Sequence, residues 1–293
     1  MNLLELTTSW LGPGLGSLLG RLLSRTQCFS LARAIADRIV DEGESPTISA
    51  IRKNQAQVRG LPLNDPTLDV IVRKVLRNTA AGYADWFWAM ARGPRAITSL
   101  LPAEGHFIEE IRSAISARTG LLIAGPHLGN FNLLLLAMVS WGVDFQVLSL
   151  ANPSGSHNVE NALRARFGLQ ITPISPRSLK EAMLRLRQGG VVLTGVDRPD
   201  PAGELMEFFG RPARLSVGHA RMAVATGARL LVGACLPHGE DQYRAHVISR
   251  LERQKGLPRQ AAVSQLAKAT LSYLEQEIRR QPDLWSMFIP VWG

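Results

Sequence analysis

From Thr119 to Val143 the chain runs for 25 residues without a single Asp, Glu, Lys or Arg. A membrane span needs about 20 predominantly apolar residues, so length alone would permit one. The interior of the stretch argues against it. Gly125-Pro126-His127, Gly129, Asn130 and Asn132 would carry polar groups and a helix break to bilayer depth, where nothing satisfies them. A buried strand over Gly120–Gly125, a polar turn and a buried helix from Asn130 to Trp141 account for the same residues. His127 then stands where a strand meets a helix.

A second uncharged stretch, Leu6 to Gly20, is only 15 residues long and is interrupted by Gly12-Pro13-Gly14. It fails as a span, and with Glu5 before it and Arg21 and Arg25 after it, it lacks the positively charged leader of a secretory signal. Leu15, Leu18, Leu19, Leu22 and Leu23 recur at helical spacing beside those arginines. Residues 1–25 are therefore either a segment lying in a membrane interface or a helix docked on its own domain.

Helical periodicity and Gly/Pro punctuation predict helices over 31–40, 46–59, 68–91 and 107–118. Beyond residue 119 the pattern alternates. Short apolar runs at 120–125, 144–150, 170–174, 190–196 and 230–237, with a further one possible at 243–249, read as strands. Helical stretches at 130–141, 157–167, 178–187 and 216–226 lie between them, and a last helix over 259–280 precedes an apolar tail with Trp285 and Trp292. The expected fold class is α/β: a layered, mixed or mainly parallel sheet flanked by helices, with a helical N-terminal portion over 1–118 and the sheet-bearing core over 119–293.

With 46% apolar and 19% charged residues the chain is not a disordered one. Lys and Arg number 33 against 24 Asp and Glu, and lysine occupies only five positions, so arginine dominates the excess. Arginine favours phosphate and carboxylate partners, although a base-composition bias would give the same skew. No nucleic-acid-binding motif accompanies it, and the arginines are spread along the chain, so no nucleic-acid partner is expected. Cys28 and Cys235 and the six histidines show no metal-ligand spacing. Neither a metal nor a redox cofactor is expected.

The neighbourhood of His127 is more informative. His127-Leu-Gly129-Asn130-Phe131-Asn132, the arginine-bearing Asn161-Ala-Leu-Arg164-Ala-Arg166-Phe-Gly168, Asp197 after a strand, Phe208-Phe209-Gly210-Arg211-Pro212-Ala213, and the closing Ile278–Trp285 block occur in that order. In these blocks the chain resembles the bacterial lipid A biosynthesis (lauroyl and myristoyl) acyltransferases of the lysophospholipid acyltransferase superfamily. The resemblance implies a peripheral enzyme on the cytoplasmic face of the inner membrane. Its histidine, here His127, would deprotonate an acceptor hydroxyl that attacks the thioester of an acyl carrier protein or coenzyme A, a cosubstrate rather than a cofactor. A glycolipid or lipid-like acceptor and the membrane surface complete the implied partners.

The resemblance also suggests roles for other residues. Asn132 would orient the imidazole, Asn130 would contact substrate, Arg164 and Arg166 would hold phosphates or lie solvated on a helix surface, and Asp197 would shape the site. Backbone amides near Gly210, or one of the two arginines, are candidates to stabilise the oxyanion. Phe209, with Phe208, Trp86 and Trp88, would line an acyl groove or belong to the core. Trp285 and Trp292 would mark an interfacial belt or cap the core, and His219 is read as structural. Position 132 departs from the family, which carries a carboxylate there. An Asn oxygen can accept from an imidazole N–H but supplies no charge for imidazolium. Three readings follow: Asn132 suffices for a reactive acceptor, Asp197 or Asp200 takes the role, or the chain is a silent lipid- or carrier-binding homologue.

Overall fold

The computed structural model describes residues 3–153, 155–239 and 241–292. Its first part is helical: α1 (Leu3–Thr8), α2 (Leu11–Leu22), α3 (Arg25–Asp41), α4 (Pro46–Arg59), α5 (Thr67–Arg92), α6 (Pro94–Leu100) and α7 (His106–Ser116). Helix α3 starts six residues before the periodicity suggests, because Ser24 and Gln27 form a reciprocal capping box. Helix α4 begins with Pro46 behind the Ser45 cap and stops at Gly60, which has φ +66°.

Helix α2 shows why its sequence supports two readings. A Cβ on Gly16 would sit 2.4 Å from the Phe87 ring, and one on Gly20 would sit 2.7 Å from the Phe87 backbone. The bare glycine face thus lies directly on α5. The leucines turn outward, leaving Leu18 52% and Leu22 71% exposed. One face is docked and the other is an exposed apolar stripe.

The remainder alternates as expected: β1 (Leu121–Gly125), α8 (Phe131–Ser140), β2 (Phe145–Ser149), α9 (Ser156–Arg166), β3 (Gln170–Pro173), α10 (Pro176–Arg187) and β4 (Val191–Gly195). Then follow β5 (Pro199–Phe208), β6 (Arg211–Leu215), α11 (Gly218–Thr226), β7 (Arg229–His238), β8 (Gln242–Leu251) and α12 (Arg259–Arg280). Six strands form one sheet in the order β3-β2-β4-β1-β7-β8, parallel except for the antiparallel edge strand β8. The expected α/β class is borne out. No helix among the described residues is long and apolar enough to cross a membrane.

Strand alternation divides the core into two layers. Leu122 and Ala124 of β1 join Val192 and Val232 in the layer that contains Leu266 and Leu271 of α12. Leu121 and Ile123 face the opposite layer, with Val191, Leu231 and the leucines of α8. The uncharged stretch is therefore a central strand covered on both faces and its covering helix, which explains why neither tolerates charge.

Strands β5 and β6 form a separate antiparallel hairpin that the periodicity does not foretell. Its two-residue turn is Phe209-Gly210, with φ +53° and +72°, the pair of positive φ values a tight hairpin of this twist requires. His219 of α11 is buried without a hydrogen-bond partner on either ring nitrogen. Burial pushes its pKa down to about 4. It is a neutral core residue, as expected.

The C-terminal tail is gripped by the N-terminal helices. Buried Asn54 of α4 donates to the carbonyls of Met287 (3.0 Å) and Ile289 (2.8 Å) and accepts from the Val291 N–H (3.1 Å). Gln55 donates to the Pro282 carbonyl, and Arg59 and Lys74 both pair with Asp283. Asn54→Ala removes three bonds and leaves buried groups unsatisfied, so a loss of about 2–4 kcal/mol is expected in a urea titration. A change below about 0.5 kcal/mol, the range of an ordinary surface substitution, would contradict this anchoring.

Candidate active site

Strands β1 and β4 pair in parallel with Gly125 opposite Gly195. Two residues past each glycine stand His127 and Asp197, so strand register alone carries the imidazole and the carboxylate to the same place. His127 Nδ1 lies 2.6 Å from Asp197 Oδ1, and the His127 backbone N–H donates to Asp197 Oδ2 at 2.8 Å. An ionised carboxylate only accepts, so the ring proton sits on Nδ1 and the Nε2 lone pair is left free. Nε2 has no hydrogen-bond partner among the described residues. The His127 side chain is 27% exposed, whereas that of Asp197 is fully buried.

The buried carboxylate has a third donor, the indole N–H of Trp285, at 2.8 Å from Oδ2. Burial by itself would raise the Asp197 pKa. The neighbouring His127 charge, the bonds from its ring and from Trp285, and its backbone N–H outweigh burial and hold the carboxyl below its ordinary range. Asp197 is thus built to stay ionised beside the ring.

The loop carrying His127 is held on both sides. Gly129 N–H donates to Leu284, Asn130 N–H to Cys235, and Ser286 N–H to the His127 carbonyl. Gly129, at φ +68°, approaches β7 so closely that a Cβ would lie 2.0 Å from the Cys235 oxygen. The imidazole rests on Gly195, where a Cβ would come within 3.0 Å of its Cε1, and meets Phe131 edge to face at 5.3 Å.

The other expected site residues are distributed differently. Asn132 is not on the ring: its Oδ1 accepts from Arg164 Nη2 at 2.5 Å. In the first turn of α8 it faces α9, and the orienting position it was expected to fill is taken by Asp197. Asn130 caps α8 by accepting from Leu133 N–H and ties it to α5 by donating to the Gly82 carbonyl, so its amide is committed to the fold. Arg164 is buried, bonded to Asn132, Glu160 and Asn161 and lying over the Trp86 ring. Arg166 is exposed in the last turn of α9. Asp200 accepts from the Ala202 N–H within β5.

Phe209 and Gly210 form the hairpin turn, whose neighbours are α4 and α12: Gln57 donates to the Phe209 carbonyl and Glu275 accepts its N–H. The Phe209 ring is buried with Phe208, Trp285 and Trp292. This aromatic cluster is core that backs Trp285, and neither Gly210 nor Arg164 contributes a donor bonded to His127. Gly195 and the Trp285 N–H escape sequence reasoning as site residues. The signal for the second was available, because a buried indole N–H needs an acceptor.

A guanidinium and a neutral imidazole lie near the site, on Arg198 and His157. Burial lowers the His157 pKa, Glu160 opposes this, and Arg198, Arg164 and His127 add to the lowering. Burial likewise lowers the Arg198 pKa. A free imidazole nitrogen, an ionised carboxylate behind it and the Arg198 guanidinium nearby suit proton abstraction from a hydroxyl near an anionic group.

A family model described as bacterial lipid A biosynthesis acyltransferase matches residues 4–293. The chain belongs to that family. Among curated proteins, this acyltransferase is 27% identical over 247 residues to the phosphatidylinositol mannoside acyltransferase of Mycobacterium tuberculosis (strain CDC 1551 / Oshkosh), covering 83% of this chain and 76% of the relative. It is 26% identical over 249 residues to the protein of the same name from Mycolicibacterium smegmatis (strain ATCC 700084 / mc(2)155), covering 83% and 78%. Lipid biosynthesis by acyl transfer is therefore its chemistry.

Gly195→Ala tests the seat of the imidazole in this acyltransferase. Because Gly195 is exposed, the fold should tolerate the methyl while the ring is displaced by a few tenths of an ångström. We expect kcat to fall roughly ten- to a hundred-fold, the scale of a small misplacement, with little change in melting temperature. An unchanged kcat would show that the ring is not held there.

Proposed function

We propose that the protein transfers a fatty acyl chain from a thioester, carried by acyl carrier protein or coenzyme A, to a hydroxyl of a phosphate-bearing glycolipid. The observation that carries this reading is the 2.6 Å contact between His127 Nδ1 and the buried Asp197 carboxylate, which leaves Nε2 unpartnered.

Nε2 accepts the proton of the acceptor hydroxyl as its oxygen attacks the thioester carbonyl. Asp197 stabilises the imidazolium through Nδ1–H. The tetrahedral intermediate then expels the thiolate, which recovers the proton from Nε2, and an ester and a free thiol leave. No covalent acyl-enzyme is required. A carboxylate at the ring takes away the reason for a silent reading, which rested on Asn132.

The acceptor class is supported by the relatives' names and by the Arg198 guanidinium beside Asp197, which suits a phosphate. The outward leucines of α2, with Trp10 66% exposed, suit contact with the surface of the inner membrane where such an acceptor resides. Arg166, exposed in the last turn of α9, is available to lipid or carrier phosphates.

Purified protein with myristoyl-coenzyme A and a phosphatidylinositol mannoside acceptor should yield the acylated glycolipid by mass spectrometry and one thiol per ester. His127→Ala should abolish the product. Asp197→Asn, which keeps shape but loses charge, should lower kcat by about 10³–10⁴-fold, as in other acid–histidine sites. Full activity in either variant would overturn the assignment.

A further inference from the structure

Outside the His127–Asp197 pair, a second buried polar cluster joins α5, α8 and α9. Arg164 donates through Nη2 to Asn132 (2.5 Å) and to Glu160 Oε2 (2.9 Å), and through Nη1 to Asn161 (2.8 Å). Its Nε has no partner. Tyr83 donates to Glu160 Oε1 at 3.3 Å and also interacts with the Asn132 side chain. The four side chains close a ring: Asn132, Arg164, Glu160, Tyr83.

The charges in this ring are countable. The Arg164 and Glu160 side chains are only 9% and 6% exposed, and a buried guanidinium needs a counter-charge because desolvation otherwise makes it very costly. Glu160 is the carboxylate bonded to it, and one carboxylate leaves the ring neutral. A second, at position 132, would give two carboxylates to one cation, with a single Tyr83 hydroxyl able to donate to only one of them. The neutral side chain at 132 and the acid at 160 therefore depend on each other.

The ring also bears on the catalytic pair. Asn132 follows Phe131, whose ring lies edge to face on His127. Tying Asn132 to α9 holds the first turn of α8, and with it the outer wall of the imidazole.

We propose that Glu160 is a positioning residue that supplies from α9 the negative charge absent at position 132, so that Arg164 clamps the start of α8 and keeps Phe131 against His127. This rests on the reading of His127 as base only for its kinetic consequence.

Four proteins test it: the natural chain, Glu160→Gln, Asn132→Asp, and the double variant. Each is assayed for kcat and KM with myristoyl-coenzyme A and a phosphatidylinositol mannoside, and for melting temperature. Glu160→Gln should lower kcat by roughly ten- to a hundred-fold, the scale of a displaced catalytic group, with the donor KM nearly unchanged. Asn132→Asp alone should give no gain. The double variant, with the charge moved across Arg164, should recover most of the lost kcat and melting temperature. A double variant no better than Glu160→Gln, or a gain in Asn132→Asp alone, would overturn the proposal. If Glu160→Gln fails to fold, a folded and active double variant supports the proposal and an unfolded one overturns it. If the natural chain transfers no acyl group, the functional reading fails instead; melting temperature then decides, with recovery in the double variant supporting charge relocation and no recovery overturning it.

Discussion

The parallel register of β1 and β4 is the constraint on which the site depends. With Gly125 opposite Gly195 and parallel strands about 4.8 Å apart, the residues two positions on are neighbours before any side-chain interaction is considered. A slip of one residue would bring Val196 or Arg198 to the place of Asp197 and reverse the faces of the strand. The two-layer core prevents this: Leu122 and Ala124 fill one layer while Leu121 and Ile123 fill the other. Packing deep in the sheet thus sets the geometry of a proton transfer at its carboxyl end.

A fully buried carboxylate is stable only with converging donors, and these come from separate parts of the chain. Two belong to His127 and the third to Trp285 near the C-terminus. The tail that positions Trp285 is held by Asn54, Gln55 and Arg59 of α4, and its indole is packed against Phe208 and Phe209 of the hairpin. The helical segment, the hairpin and the tail all act on the site through one side chain. Their contribution is to keep Asp197 dry, ionised and fixed.

Much of the fold could be read in the sequence because strands buried on both faces appear as unbroken apolar runs. The segments that became β1, β4, β7 and α8 were legible for that reason, and His127 was conspicuous at the junction of the first strand and its helix. The β5–β6 hairpin was not, since Pro199, Pro201, Gly203 and Pro212 read as loop and its turn places a bulky Phe209 at positive φ, uncommon outside glycine. The resemblance implies that Asn132 lies on the imidazole, but the first turn of α8 directs it to Arg164. Asp197 was a candidate, yet its pairing depended on β4 lying next to β1, an adjacency that spacing does not encode. Trp285 shows the same limit, as a long-range partner fixed only by tertiary packing.

The site depends on Asp197, not Asn132, being hydrogen-bonded to His127. Proton NMR of the Nδ1–H of His127 tests it most directly, because a ring proton shared with a carboxylate resonates far downfield of ordinary amides. Such a signal is expected in the natural protein and in Asn132→Ala, and its loss in Asp197→Ala. A signal that survives in Asp197→Ala and disappears in Asn132→Ala would contradict it.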